Sequence, residues 1–259
     1  KDASAVSYWQ PITITVSSKG VGGMAPVGGF KGPPTGVALL QGCVAGTLLG
    51  ASAALLALAV LDIPIAAQGM QVAAIALLSG IWFCPHITAP AAMRVAASVV
   101  WSVALPLAIA AVTAAATAIT ISHIAFPVAA AILTLLVASL MVALADAHGW
   151  REARTGLVLR LAISMTSCLW LVPAAELAAA KPWMASLIVN LNPATFLAVA
   201  DGHDYLLDTW LYQHAAFGSL RYQYWPLSLF VGLNLVAAVT FAACLLLPVN
   251  KNAGSTAAT

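Results

Sequence analysis

The chain has 259 residues, of which 62% are hydrophobic, with ten Lys and Arg, eight Asp and Glu and a formal net charge of +2. A soluble domain carries about 25% charged residues, against 7% here, too few to coat a water-soluble globule. That excludes a free cytosolic enzyme, a disordered chain and, with basic residues scattered singly, a nucleic-acid binder; an integral membrane protein remains.

Residues 1–36 contain Gly20, Gly22, Gly23, Gly28, Gly29 and Gly32 with Pro26, Pro33 and Pro34. They lack the charged start and short apolar core of a secretory signal and read as a loop-like N-terminal arm. Within the arm, Ile12, Ile14 and Val16 alternate with Thr13 and Thr15, the pattern of a short extended stretch.

The apolar runs that follow are long, continuous and rich in Ala and Leu, without the alternation of a barrel strand. They predict an all-α integral membrane protein with six transmembrane helices at 37–61, 70–91, 96–121, 125–146, 157–179 and 226–247, each about the 20 residues a bilayer needs. These spans make a transmembrane domain over 37–247, whose outer loop covers 181–225, followed by a short tail at 248–259. Pro64, Pro85, Pro90 and Pro127 punctuate the runs, while Pro106 and Pro173 fall inside spans. Gly42, Gly46 and Gly50, four apart, put small residues on one face of the first span, where another helix can pack closely.

With both termini in the cytoplasm, Lys1, Lys19, Lys31, Arg94, Arg151, Arg154, Arg160 and Lys251 lie inside, leaving Lys181 and Arg221 outside. This satisfies the positive-inside rule. Asp146, Arg160 and Glu176 lie near predicted span ends, and the span centres are otherwise bare of charge. A proton pump or voltage sensor is therefore not expected; Glu176 is the acidic residue to consider as pathway lining.

Cys43, Cys84, Cys168 and Cys244 form no CxxC pair and read as small buried hydrophobes. The histidines sit mostly at span ends or in loops, so no haem or other cofactor is expected. Asp201, His203, Asp204, Asp208 and His214 mix carboxylates with imidazoles in the outer loop. Asp201, His203 and His214 are the candidate metal ligands among them, against the alternative of a solvated polar face. GxSxG, HExxH and Walker motifs are absent, so no catalytic residue is assigned and the chain is not expected to be an enzyme by itself.

The most informative stretch is VPAAELAAAKPWMASLIVNLNPATFLAVADGHDYLL, residues 172–207. Pro193 removes a backbone donor and biases Asn192 away from helix, which disfavours a straight crossing through 184–200. Two half-helices that enter the outer leaflet and return, a re-entrant helical hairpin between the fifth and sixth spans, satisfy both the break and the charge distribution. A full crossing would move the C-terminus outside.

Pro173, Pro182-Trp183, Leu191-Asn192-Pro193, Leu206-Leu207 and the span after Trp225-Pro226 occur in an order that resembles the exporter-type ABC transporter permeases, particularly those moving polysaccharides or lipid-linked glycans. Gly80-Ile81-Trp82-Phe83 and Leu105-Pro106-Leu107 are weaker echoes upstream. The resemblance implies alternating access powered by a separate ABC-type ATPase subunit, with a second permease copy completing the pathway in a bacterial inner membrane. It implies an outer gate at Asn190, Asn192 and Pro193, pathway lining from Trp82, Phe83, Trp170, Glu176 and Trp183, and cytoplasmic coupling through Arg94, Arg151 and Arg154. For each Trp, an interfacial anchor is the competing role.

A different class of function is a non-catalytic membrane subunit of a larger respiratory, photosynthetic or oxidase complex. The Gly/Pro arm would then lie on a neighbouring subunit, and Tyr205, Trp210, Tyr212, Phe217, Tyr222, Tyr224 and Trp225 would form a docking face. A metal enzyme using Asp201, His203 and His214 is a third.

Overall fold

The computed structural model describes residues 35–60, 65–85, 89–117, 119–149, 181–207 and 222–247, all within the compact unit Pro33–Thr259. Almost all of the N-terminal arm, the fifth predicted span at 157–179 and the C-terminal tail lie outside the described residues. Every element among the described residues is helical. Among the described residues four helices are long and apolar enough to cross a membrane, and a further bent helix pair passes the same test as a unit.

The first helix, α1, spans Thr35–Val60 and contains neither Pro nor charge. Its 26 residues rise about 39 Å, enough to cross with tilt. The second, α2, spans Ile65–Trp82, earlier than the 70–91 run suggests. Pro85 explains the shift, because it has no N–H to continue the ladder and biases Cys84 away from helix. Pro90, with extended backbone, then precedes α3, which runs Ala91–Ala116 and so begins before the expected 96. Arg94 consequently falls in the first turn of α3. The fourth helix, α4, covers Ile121–Ala147 and places Pro127 inside rather than at its start. A proline there leaves the His123 carbonyl without its intrahelical donor. That oxygen packs on Gly69 of α2, where a Cβ would sit 2.6 Å from it.

The outer segment forms two short helices, α5 over Pro182–Leu191 and α6 over Pro193–Asp201, joined at Asn192. A 3-10 turn at Tyr205–Leu207 follows, and α7 spans Leu227–Leu246. Short connections make α1 to α4 alternate in direction. Leu245 of α7 clusters with Ala143 of α4, whereas Phe230 joins Ala130 and Ala131, so α7 runs parallel to α4.

The core is built around α2. Ala73, Ala76, Leu77 and Ile81 meet Trp101, Leu105 and Ile109 of α3, Ala131 and Leu135 of α4, Phe196 and Leu197 of α6, and Phe230 of α7. Small and apolar residues on several faces of α2 suit such a central position. The glycine stripe of α1 does pack tightly: ideal Cβ atoms on Gly42, Gly46 and Gly50 would lie 3.1, 2.9 and 2.5 Å from Trp101, Leu105 and Ile109 respectively. Large residues at four-residue intervals on α3 thus fill the groove left by glycines at the same interval on α1. Only 22% of the most apolar window of α1 and 17% of that of α7 is buried, against 56% for α4. Those two helices therefore present lipid-compatible outer faces.

Of the cysteines, Cys43 and Cys84 are half-buried, whereas Cys244 is exposed on α7, contrary to the expectation of burial; none of the three is in a disulfide. Cys168 lies outside the described residues.

Candidate functional site

The break between α5 and α6 follows directly from its residues. Asn192 has extended backbone (φ −74°, ψ 123°), its side-chain oxygen accepts from the Ala194 N–H at 3.0 Å, and Pro193 opens α6. Asn at the N-cap followed by Pro in the first turn is a pairing that starts a helix. Gly202, at φ 73°, stops α6 in the left-handed conformation that glycine adopts without strain. The two arms meet at 86°, forming a corner.

Side chains missed as a set by sequence reasoning hold this corner. Asn190, 3% exposed, donates through Nδ2 to the Ser186 carbonyl at 2.7 Å and the Gln223 carbonyl at 2.8 Å. Its Oδ1 accepts the Trp225 N–H at 2.9 Å, while the Ser186 hydroxyl oxygen accepts from the Gln223 N–H at 2.9 Å. Asn190 thus ties α5 to the extended strip that leads into α7. Thr195, fully buried, donates to the Val189 carbonyl across the break at 2.7 Å and pairs with the Tyr205 hydroxyl at 3.0 Å.

Asp204 anchors the far side. The Tyr222 hydroxyl donates to its carboxylate at 3.1 Å, the Tyr224 hydroxyl donates at 2.5 Å and the Leu206 N–H at 3.2 Å. Burial pushes the Tyr222 phenol up to about 12, with the Asp204 charge adding to the effect, and raises Tyr224 for the same reasons. Tyr205, Tyr222 and Tyr224 pack together with Val189 and Leu206, and Trp225 packs on Phe230. These aromatics, expected as part of a docking face, are thus engaged within the chain; Trp210, Tyr212 and Phe217 lie outside the described residues.

Asp201 takes a separate role. Its Oδ2 accepts the Met70 N–H at 2.8 Å, which ties the end of α6 to the sixth residue of α2. Gly69 beside it leaves no room for a Cβ between Asp201 and the His123 carbonyl. Among the described residues no group of three His, Cys, Asp or Glu is placed to hold a metal ion. Asp208 and His214 lie outside them.

The corner bounds an open cleft of about 190 Å³, lined by Asn190, Leu191, Asn192, Pro193 and Phe196 on one side and by Trp225, Phe230, Leu233, Asn234, Ala237 and Thr134 on the other. Thr134 is midway along α4, and Leu233 lies in the second turn of α7, about 9 Å along the helix axis from its start. Phe196 stacks on Phe230 at 5.3 Å between centroids, giving the cleft an aromatic floor. None of the described residues that line it is titratable. Amide groups, one hydroxyl, aromatic rings and leucines make it suited to a neutral polar group attached to an apolar body.

The other expected site residues divide. Trp82 and Trp183 are 61% and 64% exposed, the position of an interfacial anchor. Phe83 is half-buried against the core, near Gly42 and Gly46. Arg94 donates through Nε to the Ala89 carbonyl at 2.7 Å and through Nη1 to the Ala143 carbonyl at 3.4 Å, so it clasps α4 near its C-terminus. Trp170, Glu176, Arg151 and Arg154 lie outside the described residues. No protein-family model, curated protein or solved structure matches the chain.

Proposed function

We propose that the chain is the membrane-spanning permease subunit of an ATP-driven exporter in a bacterial inner membrane, and that the α5–α6 corner is its outer gate. The observation that carries this reading is the corner itself: a helix pair broken at Asn192-Pro193, bent by 86° and lodged beside α4 and α7 with an uncharged cleft at its elbow. Broken backbone at membrane depth is tolerated where protein covers it or a cavity is lined, and here Asn190, Asn192 and Thr195 satisfy the freed groups.

The cleft favours an amphiphile such as a lipid-linked glycan, because amides meet hydroxyls while Leu191 and Leu233, about half exposed, open toward acyl chains. On this reading the driving energy comes from an ABC-type ATPase subunit at the cytoplasmic face, working on this chain paired with a second permease copy. In this arrangement both termini are cytoplasmic and the end bearing Arg94 and Asp146 faces the ATPase.

Purification in mild detergent from the native membrane, with identification of the co-purifying chains, tests the proposal. An ATPase bearing Walker motifs is expected. Recovery with cytochrome-bearing subunits and no ATPase would overturn it in favour of a structural subunit of a redox complex.

A further inference from the structure

At the opposite end of the bundle from Asp201, a second cavity lies where the chain leaving α2 meets α3 and α4. It measures about 10 Å³ and is lined by Cys84, Pro85, Ser98, Trp101, Ser139 and Asp146 together with two apolar residues. Ser98 is 1% exposed, and its hydroxyl has no hydrogen-bond partner among the described residues.

That hydroxyl is unusual for its setting. In the same helices Ser102, Thr113, Thr134 and Ser139 each donate to a carbonyl three or four residues earlier, the ordinary way a hydroxyl is satisfied inside a membrane helix. Ser98 has the same option toward the preceding turn of α3 and does not take it. The Trp101 indole offers it nothing, because its Nε1–H is committed to the Gly80 carbonyl at 3.0 Å. A buried hydroxyl without a partner loses its hydration and gains nothing in return, so a native core seldom leaves one.

We infer that this cavity is a binding site for a single ordered water molecule, held by Ser98 and by the Asp146 carboxylate, with the Ser139 oxygen as a further acceptor. Size and donor count both select water. One water needs roughly 10–15 Å³ and two to four polar partners, whereas a calcium ion takes about six to eight oxygens and magnesium about six in an octahedron. The walls supply three side chains bearing oxygen. Such a water bridges α3 to α4 beside the end of α2.

The sign of one substitution separates a wet site from a dry one. If the cavity is dry, Ser98→Ala removes an unsatisfied hydroxyl and introduces a better helix former, and the Tm of the purified full chain stays level or rises. If the water is bound, the same change deprives it of a partner, and Tm falls by about 2–4 °C, while Ser98→Thr, which keeps a hydroxyl, retains most of the wild-type value. An unchanged or raised Tm in Ser98→Ala overturns the inference. A high-resolution structure gives an independent reading: a density peak within hydrogen-bond distance of Ser98 Oγ supports the site, whereas a Ser98 hydroxyl turned onto the Arg94 carbonyl with no such peak refutes it.

Discussion

Single residues carry unusual weight in this bundle because its helices approach so closely. Gly80 shows the limit: a Cβ there would collide with both methyl groups of Leu135, and its carbonyl receives the indole N–H of buried Trp101. Overpacking of this kind costs about 1–3 kcal/mol. Gly80→Ala should therefore lower Tm, and combining it with Leu135→Ala should cost less than the sum of the two single changes, because the side chain in the way has been trimmed. A purely additive double mutant would mean that the backbone relaxes instead. Asp204 makes an electrostatic counterpart. Tyr222 and Tyr224 donate to it, and both phenols have raised pKa values. A group whose folded-state pKa is raised stabilises the fold fully below its unfolded value, and that contribution is lost as pH rises through the folded one. The tether should thus hold up to about pH 10, the ordinary tyrosine value, and weaken as pH climbs toward 12, where Tyr222 titrates. Alkaline unfolding followed by tyrosine absorbance checks this; Tyr222→Phe should flatten the loss, and an unaltered profile would remove the tether from the explanation.

At the scale of elements, the α5–α6 pair divides what the sequence makes legible from what it does not. The break was readable because Pro193 lacks an N–H and Asn192 precedes it, a local rule that needs no tertiary information. The 86° angle between the arms was not, since it is set by Asn190 bonding residues 223 and 225 and by Asp204 bonding residues 222 and 224. Those partners lie some 18–35 positions away, and nothing in local periodicity reports them. The same reasoning explains why Asp204 reads only as one member of a polar cluster and the tyrosines as a docking face: local sequence shows each residue type but not its pairing. Hydropathy likewise misplaced α2 by running through Pro85, because an apolar average is blind to a missing donor. Asn190→Ala strands the Gln223 carbonyl and the Trp225 N–H, whereas Ser186→Ala loses one bond at an exposed site. Asn190→Ala should thus destabilise by about 1–3 kcal/mol and Ser186→Ala by less. Equal Tm losses in the two variants would show that the elbow is held mainly by packing.

For the molecule as a whole, the tethers fix which ends lie together and so turn topology into a prediction. Asp201 at the end of α6 bonds the start of α2, and Phe196 stacks on Phe230 in the first turns of α7. The starts of α2, α4 and α7 and the end of α6 therefore share one end of the bundle, which holds Ser122 and Leu207. Arg94, Asp146 and Ala147 mark the other. The orientation proposed above puts the Arg94 end in the cytoplasm, in keeping with the positive-inside rule, since Arg151 and Arg154 follow Ala147 closely in sequence. In a chain with Cys43, Cys84, Cys168 and Cys244 replaced, single cysteines at exposed Ser122, Leu207 and Ala147 separate the possibilities. A membrane-impermeant thiol reagent should label the first two on intact cells and the third only after the membrane is opened. Labelling of Ala147→Cys alone from outside would invert the assigned orientation. Labelling of Ser122→Cys without Leu207→Cys would break the link between α6 and the α2 end, and with it the case for a corner that enters and leaves at one membrane face.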